Sequence, residues 1–367
     1  MPAFSLPAAF RLALLGGLCV WAAFAKTGLA QAGGETGFRG SGTTGPNGER
    51  PLVVATASIF ADMAEVIGGD AVRVRAIVPR GGDPHTYEPT PESATLVTSA
   101  ALILRNGLTF EGWLDELIRY SGTRARVARV TEGIAPLGSL TYAGSEDPHA
   151  WMDAGNGLVY AENVYRALAA AFPDYADQFA FNYGIYRQQL VELDRWIRDT
   201  VAVIPPQQRV LITSHDAFQY YGRAYGLRLE SVLGTSTDAD AQTADVARVV
   251  DLIREAGVPA VFVESTINPK LIRQIAEDTG ARVGGSLFSD SLGEPGGPGD
   301  TYLGMLRHNT RTIVRGLTGR AGGSAEDAAT GSEDPFDRDE GSLPLLAGTL
   351  LGVFALGFAI MFRYGQA

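Results

Sequence analysis

Between residues 51 and 318 the chain alternates short apolar runs with amphipathic stretches, and it does so twice. In the first half LVVATAS (52–58) and VRVRAIVP (72–79) read as strands around an amphipathic helix, IFADMAEVIGG (59–69). A polar loop, a helix from about Pro91 and a buried strand, ALILRNG (101–107), follow. In the second half RVLITSH (209–215) and LRLESVLG (227–234) are strands around the helix DAFQYYGRAYG (216–226). A polar loop (235–243), the helix ADVARVVDLIREAG (244–257) and the strand PAVFVEST (259–266) come next. Strand-helix-strand alternation with short apolar strands predicts mostly parallel sheets covered by helices.

Between the halves, Phe179, Tyr183, Tyr186, Leu190, Leu193, Trp196 and Ile197 recur at spacings of three and four until Pro205 and Pro206. That spacing predicts one long helix within 173–204, broken only weakly at Gly184. The expected fold is therefore α/β, with two lobes (51–172 and 205–318) joined by a single long α-helix. Bending such a helix would break backbone hydrogen bonds, so no large hinge closure is expected.

The flanks differ in kind. Arg11, the apolar run 12–25 and Ala30-Gln31-Ala32 predict a secretory signal peptide over 1–32, followed by a Gly-rich linker, 33–50. The single cysteine, Cys19, lies inside the apolar run after Leu18, so neither a lipid anchor nor a disulfide is expected. At the other end, 319–342 reads as an acidic disordered stalk. Residues 343–362 are uncharged and, at about 1.5 Å per residue, long enough for a C-terminal transmembrane helix anchoring the protein to the membrane. The stalk places seven acids against two arginines, which accounts for much of the net charge of −11 and leaves the lobes only mildly acidic. Nothing in this charge pattern points to nucleic acid.

Three of the four histidines stand in loop-like settings: His85 in GGDPHTYEPTPES, His149 in SEDPHAWMD and His215 in ITSHDAFQYY. Imidazole is the commonest protein ligand for divalent transition metals, and open parallel sheets bind ligands at the carboxyl ends of their strands. His215, Glu264 and Asp290 all end predicted strands, and His85 follows one by a short turn. Glu264 is a candidate ligand, but an acceptor that orients a histidine ring is the favoured reading. His308 lies in the amphipathic terminal helix without partners at ligand spacing. Asp83, Asp147 and Asp153 read as turn and cap residues, and Trp113 and Trp151 as packing. A secreted zinc hydrolase is disfavoured, because the chain has no HExxH and no nucleophile elbow.

Five segments, GGDPHTYEPTPES, EDPHAWMD, TSHDAFQYYGRAYG, FVESTINPK and LFSDSLGEPGGPGDTYLGMLRHNTRTIV, occur in this order over residues 51–317. In them the chain resembles the cluster A-I solute-binding receptors of ABC importers for manganese, zinc and iron. The resemblance implies two α/β lobes tied by one helix, with a divalent cation, Mn2+, Zn2+ or Fe2+, held between them. It implies His85 and His149 as ligands from the first lobe, and His215 and Asp290 from the second. Some members carry glutamate at the place of His215. It also implies an extracytoplasmic location, no enzymatic activity, and an ABC permease and ATPase on separate chains. A metal-containing surface adhesin is the alternative. Ligand protonation should weaken binding as pH falls through about 6.5.

Overall fold

The computed structural model describes residues 49–139, 144–237 and 241–319. In the first lobe β1 (Leu52–Ala55), β2 (Arg73–Ala76), β3 (Leu102–Arg105) and β4 (Arg126–Arg129) form one parallel sheet in the order β2-β1-β3-β4. The sequence explains that order. LVVA and LILR are nearly continuous apolar runs suited to central strands, whereas RVRA and RVAR carry two arginines each and lie at the edges. Around the sheet are α1 (Ser58–Gly68), α2 (Pro91–Ser99), α3 (Leu114–Ser121) and α4 (Ala154–Ala171). Thr90 and Ser93 form a reciprocal capping box at the start of α2, with Pro91 in its first turn. Asp153 caps α4 by accepting the Gly155 N–H.

The long helix, α5 (Ala176–Val201), runs unbroken through Gly184 for 26 residues, about 39 Å at the standard rise. It buries Phe179, Tyr186, Leu190, Leu193, Ile197 and Val201. The second lobe contains two parallel strand pairs, β5 (Val210–Thr213) with β6 (Arg228–Ser231) and β7 (Ala260–Glu264) with β8 (Arg282–Leu287). Its helices are α6 (Gln219–Tyr225), α7 (Thr243–Ala256), α8 (Lys270–Thr279) and α9 (Tyr302–Thr318).

Observed strands are shorter than the apolar runs that predict them. Past Ala55 the run turns into α1 after Thr56, whose N–H donates to Leu104 O at 3.0 Å and whose carbonyl accepts the Val78 N–H at 3.1 Å. Past Thr213 the run Ser214-His215 likewise leaves its strand. The extra residues leave the sheet at the carboxyl ends of the strands, into α1 after β1 and into the loop carrying His215 after β5.

One apolar core crosses both lobes. It includes Phe60, Trp151 and Tyr160 from the first, Leu190 and Ile197 of α5, and Phe218, Tyr221, Phe262 and Tyr302 from the second. Each such side chain contributes roughly 1.5–3 kcal/mol when fully buried, so prising the lobes apart as rigid bodies would be costly.

The expected fold needs one correction. No helix among the described residues is long and apolar enough to cross a membrane. The C-terminal transmembrane helix expected at 343–362 lies outside the described residues.

Candidate metal centre

Four loops deliver one side chain each to a single point between the lobes. His85 follows β2, and its backbone N–H is held by Asp83 Oδ1 at 2.8 Å. His149 opens a 3-10 turn, Ala150–Met152, with its N–H on Asp147 Oδ1 at 2.9 Å. His215 lies two residues past β5, its N–H bonded to Glu264 Oε1 at 2.8 Å and its carbonyl accepting the Thr213 hydroxyl at 2.8 Å. Asp290 lies three residues past β8, and Trp151 of the first lobe reaches across to its neighbour, donating Nε1–H to Ser289 O at 2.9 Å. These hydrogen bonds fix loop backbone beyond the strand ends, beside main-chain bonds such as Leu233 N–H to Ser214 O and Asp216 N–H to Gly234 O.

Nitrogen and carboxylate oxygen atoms of His85, His149, His215 and Asp290 all come within 4.8 Å of one another. The Nε2 atoms of His85 and His149 are 3.2 Å apart. Asp290 bridges His149 and His215, with Oδ1 at 3.3 Å from His149 Nε2 and Oδ2 at 3.2 Å from His215 Nε2. His149, His215 and Asp290 are completely buried, whereas His85 is partly exposed and marks the side facing solvent. His308 is outside the group; its Nε2 contacts Ser286 O on the face of α9 at 3.0 Å.

Behind the group stand two more buried carboxylates. Glu264 Oε2 lies 2.6 Å from His215 Nδ1, and Asp147 Oδ1 lies 2.7 Å from His149 Nδ1. Asp147 therefore does more than the turn-forming role read from sequence: one oxygen holds both the backbone N–H and the ring of His149. The recurrence of Asp-Pro-His at 83–85 and 147–149 is the signal that could have drawn attention to it.

Burial disfavours charge on the imidazoles, but the carboxylates on both sides outweigh it. The pKa of His149 is raised to about 9, with burial opposing and Asp147 and Asp290 prevailing. His215 is raised well above its ordinary value by Glu264 and Asp290 against the same penalty. Asp290 is held well below the usual carboxylate range, since the two imidazoles overcome the burial that would raise it.

The close contacts do not satisfy the group. Among the described residues both ring nitrogens of His215, Glu264 Oε2, Asp290 Oδ1 and Asp147 Oδ2 are buried without a well-formed hydrogen bond, although Glu264 Oε2 and Asp290 Oδ2 stand 2.6 and 3.2 Å from the His215 ring. Unsatisfied buried polar atoms are rare and costly, and five in one place demand a reason. Three imidazoles and a carboxylate, with carboxylates behind two of the rings, form a donor set suited to a divalent transition metal.

Sequence and fold comparisons agree with this chemistry. The manganese-binding lipoprotein MntA of Bacillus subtilis is 36% identical over 307 residues, covering 81% of this chain and 97% of that protein. The manganese ABC transporter substrate-binding lipoprotein PsaA of Streptococcus mitis is 32% identical over 279 residues, covering 74% of this chain and 90% of its own. Among solved structures, the periplasmic zinc-binding protein TroA of Treponema pallidum superposes with a TM-score of 0.70 at 34% identity, over 73% of this chain and 99% of that one. Residues 53–316 match the family described as zinc-uptake complex component A, periplasmic, and the chain belongs to that ZnuA family of metal-receptor proteins.

Proposed function

We propose that this protein is an extracytoplasmic receptor that binds one divalent transition-metal ion between its lobes and delivers it to an ABC importer whose permease and ATPase are separate chains. His85, His149, His215 and Asp290 are the ligands in this reading. Glu264 and Asp147 orient the rings of His215 and His149 and make them better donors.

The observation that carries the proposal is the spacing of the four side chains. Ligands about 2.0–2.1 Å from a tetrahedral centre stand about 3.3 Å from one another. Three contacts within the group, of 3.2, 3.3 and 3.2 Å, are close to that edge length, the two to Asp290 involving different carboxylate oxygens, and all the ligand atoms lie within 4.8 Å of one another. Three imidazoles and a carboxylate fill a four-coordinate shell and leave no open position for an activated water, which favours binding over catalysis. The donor set also bears on the cargo. Nitrogen-rich sites hold zinc more tightly than manganese by the general stability order, and His215 adds to that tilt. Residues 123–147, however, contain no histidine, unlike the His-rich first-lobe loop of many zinc importers in the resembled family. Manganese and zinc are thus both carried forward as cargo, with iron behind them.

Elemental analysis of protein purified without chelators from its native host tests the proposal directly. About one equivalent of manganese, zinc or iron is the expected result. Metal-free protein that takes up none of the three on titration would overturn it.

A further inference from the structure

Both first-lobe histidines sit in the same tripeptide, Asp83-Pro84-His85 and Asp147-Pro148-His149, and the structure builds both in the same way. In each, the aspartate accepts the histidine N–H, at 2.8 and 2.9 Å. In each, the proline carbonyl accepts a side-chain donor from one and the same loop, the connection between β3 and α3. Trp113 Nε1–H donates to Pro84 O at 2.9 Å, and Asn106 Nδ2–H donates to Pro148 O at 3.0 Å. Between these two donors the loop inserts Phe110, completely buried. Its ring meets His85 edge-on, 5.1 Å between centroids at 88°, and lies 6.3 Å from His149. Trp113 also packs on Tyr87, two residues past His85, at 5.0 Å.

The loop adopts a costly backbone to do this. Gly107, Leu108 and Thr109 have φ of 80°, 52° and 63°. Left-handed backbone suits glycine, is uncommon for leucine and is an outlier for β-branched threonine. A fully buried carboxylate pins the turn: Glu111 accepts from the Thr56 hydroxyl at 2.6 Å, the Asn106 N–H at 2.6 Å and the Gly107 N–H at 3.0 Å. Asn106 is held further by the Tyr160 hydroxyl, which donates to its Oδ1 at 2.7 Å. Strained backbone persists only where its surroundings over-determine it, and such places cluster at functional sites. Here the strain places three side chains against two histidine loops that share no element of secondary structure.

We propose that the β3–α3 loop is a clamp that sets the separation and orientation of His85 and His149, so that Asn106, Phe110 and Trp113 are positioning residues governing how fast and in what geometry the cation is held. The inference rests on the receptor reading above and adds to it the part of the first lobe that shapes the site. Its logic is geometric. Four ligands from four loops make a defined shell only if each pair is fixed in distance, and the clamp is what fixes the first-lobe pair.

Trp113→Phe gives the cleanest test, because it keeps an aromatic ring beside Tyr87 while removing the N–H that grips Pro84 together with part of the indole volume, and the melting temperature of the metal-free protein accounts for that lost packing. Zn2+ release into excess chelator and the visible absorption of Co2+-loaded protein would be measured in the wild type, in Trp113→Phe, and in both with His85→Ala added. The expected result is Zn2+ release about 10-fold faster in Trp113→Phe, the scale of losing a group that orients a ligand, with a changed Co2+ spectrum. The metal-free protein should melt near the wild-type temperature. In the His85→Ala background Trp113→Phe should add nothing, because the Trp113 arm of the clamp acts through His85. Wild-type release and spectrum in Trp113→Phe, or an equal effect with and without His85, would overturn the clamp. Failure of the wild type to bind either ion would overturn the receptor reading itself.

Discussion

Protons should compete with the cation far above the pH at which histidine ordinarily titrates. In the metal-free site Asp147 and Asp290 hold His149 at about 9 in spite of its burial, and Glu264 and Asp290 raise His215 in the same direction. A metal binds only the neutral ring, so at pH 7 the cation must displace the proton on His149, and the raised basicity of His215 adds competition in the same direction. With a pKa of about 9, roughly one His149 ring in 100 is neutral at pH 7, and apparent affinity there should lie about 100-fold below its value above pH 9 for that group alone. The window expected from sequence, near 6.5, thus moves upward because the rings are backed by buried carboxylates.

Folding is linked to the same groups with the opposite sign. A histidine raised from 6.5 to about 9 on folding contributes stability that is complete below pH 6.5 and is lost as pH climbs through 9. That rise corresponds to about 3 kcal/mol, or on the order of 5–10 °C in melting temperature for a chain of this size. Metal-free protein should therefore melt lower at pH 9 than at pH 6.5, while Zn2+ affinity climbs about tenfold per pH unit for each proton displaced. Calorimetric titration at pH 7 in two buffers of different ionisation heat counts those protons, and one to two per cation are expected. Zero release, or an affinity flat between pH 6.5 and 9, would refute the electrostatic account of the site.

Alanine at His85, His149, His215 or Asp290 should each weaken Zn2+ binding by more than about 100-fold, beyond the range for groups that merely orient ligands, while His308→Ala should match the wild type in the same titration. Asp147→Asn and Glu264→Gln, which replace the acceptors facing the ring nitrogens, should cost about 10–100-fold in affinity and leave the stoichiometry at one, as read by equilibrium dialysis. Mn2+ at equal concentration should fail to displace bound Zn2+ in a competition titration; displacement would mean oxygen ligands beyond Asp290 shape the site.

What could be read from the sequence followed how locally each feature is encoded. Most strands and the long helix declare themselves within a few residues, because burial imposes a period of two or of 3.6 on the chain, but edge strand β4, RVAR with two arginines in four residues, was not anticipated. His85, His149, His215 and Asp290 were legible as chemistry because each sits at a strand end or beside turn residues. Helix α4 was not anticipated: AGNGLVYAENVYRALAAA uses glycine and alanine where it packs, so its apolar face is thin in sequence even though Tyr160, Val164 and Leu168 are fully buried. The supports of the site were hidden for a different reason. Asp147 looked like a turn residue because it is one, and its hold on the imidazole uses the same oxygen. Trp113 and Asn106 act on carbonyls 29 and 42 residues away, and a bond to a backbone carbonyl leaves no mark on the identity of the residue that accepts it. A donor set can be recognised from the types of its members, but its geometry is set by partners whose side-chain type is ordinary, and those become visible only once the chain is folded.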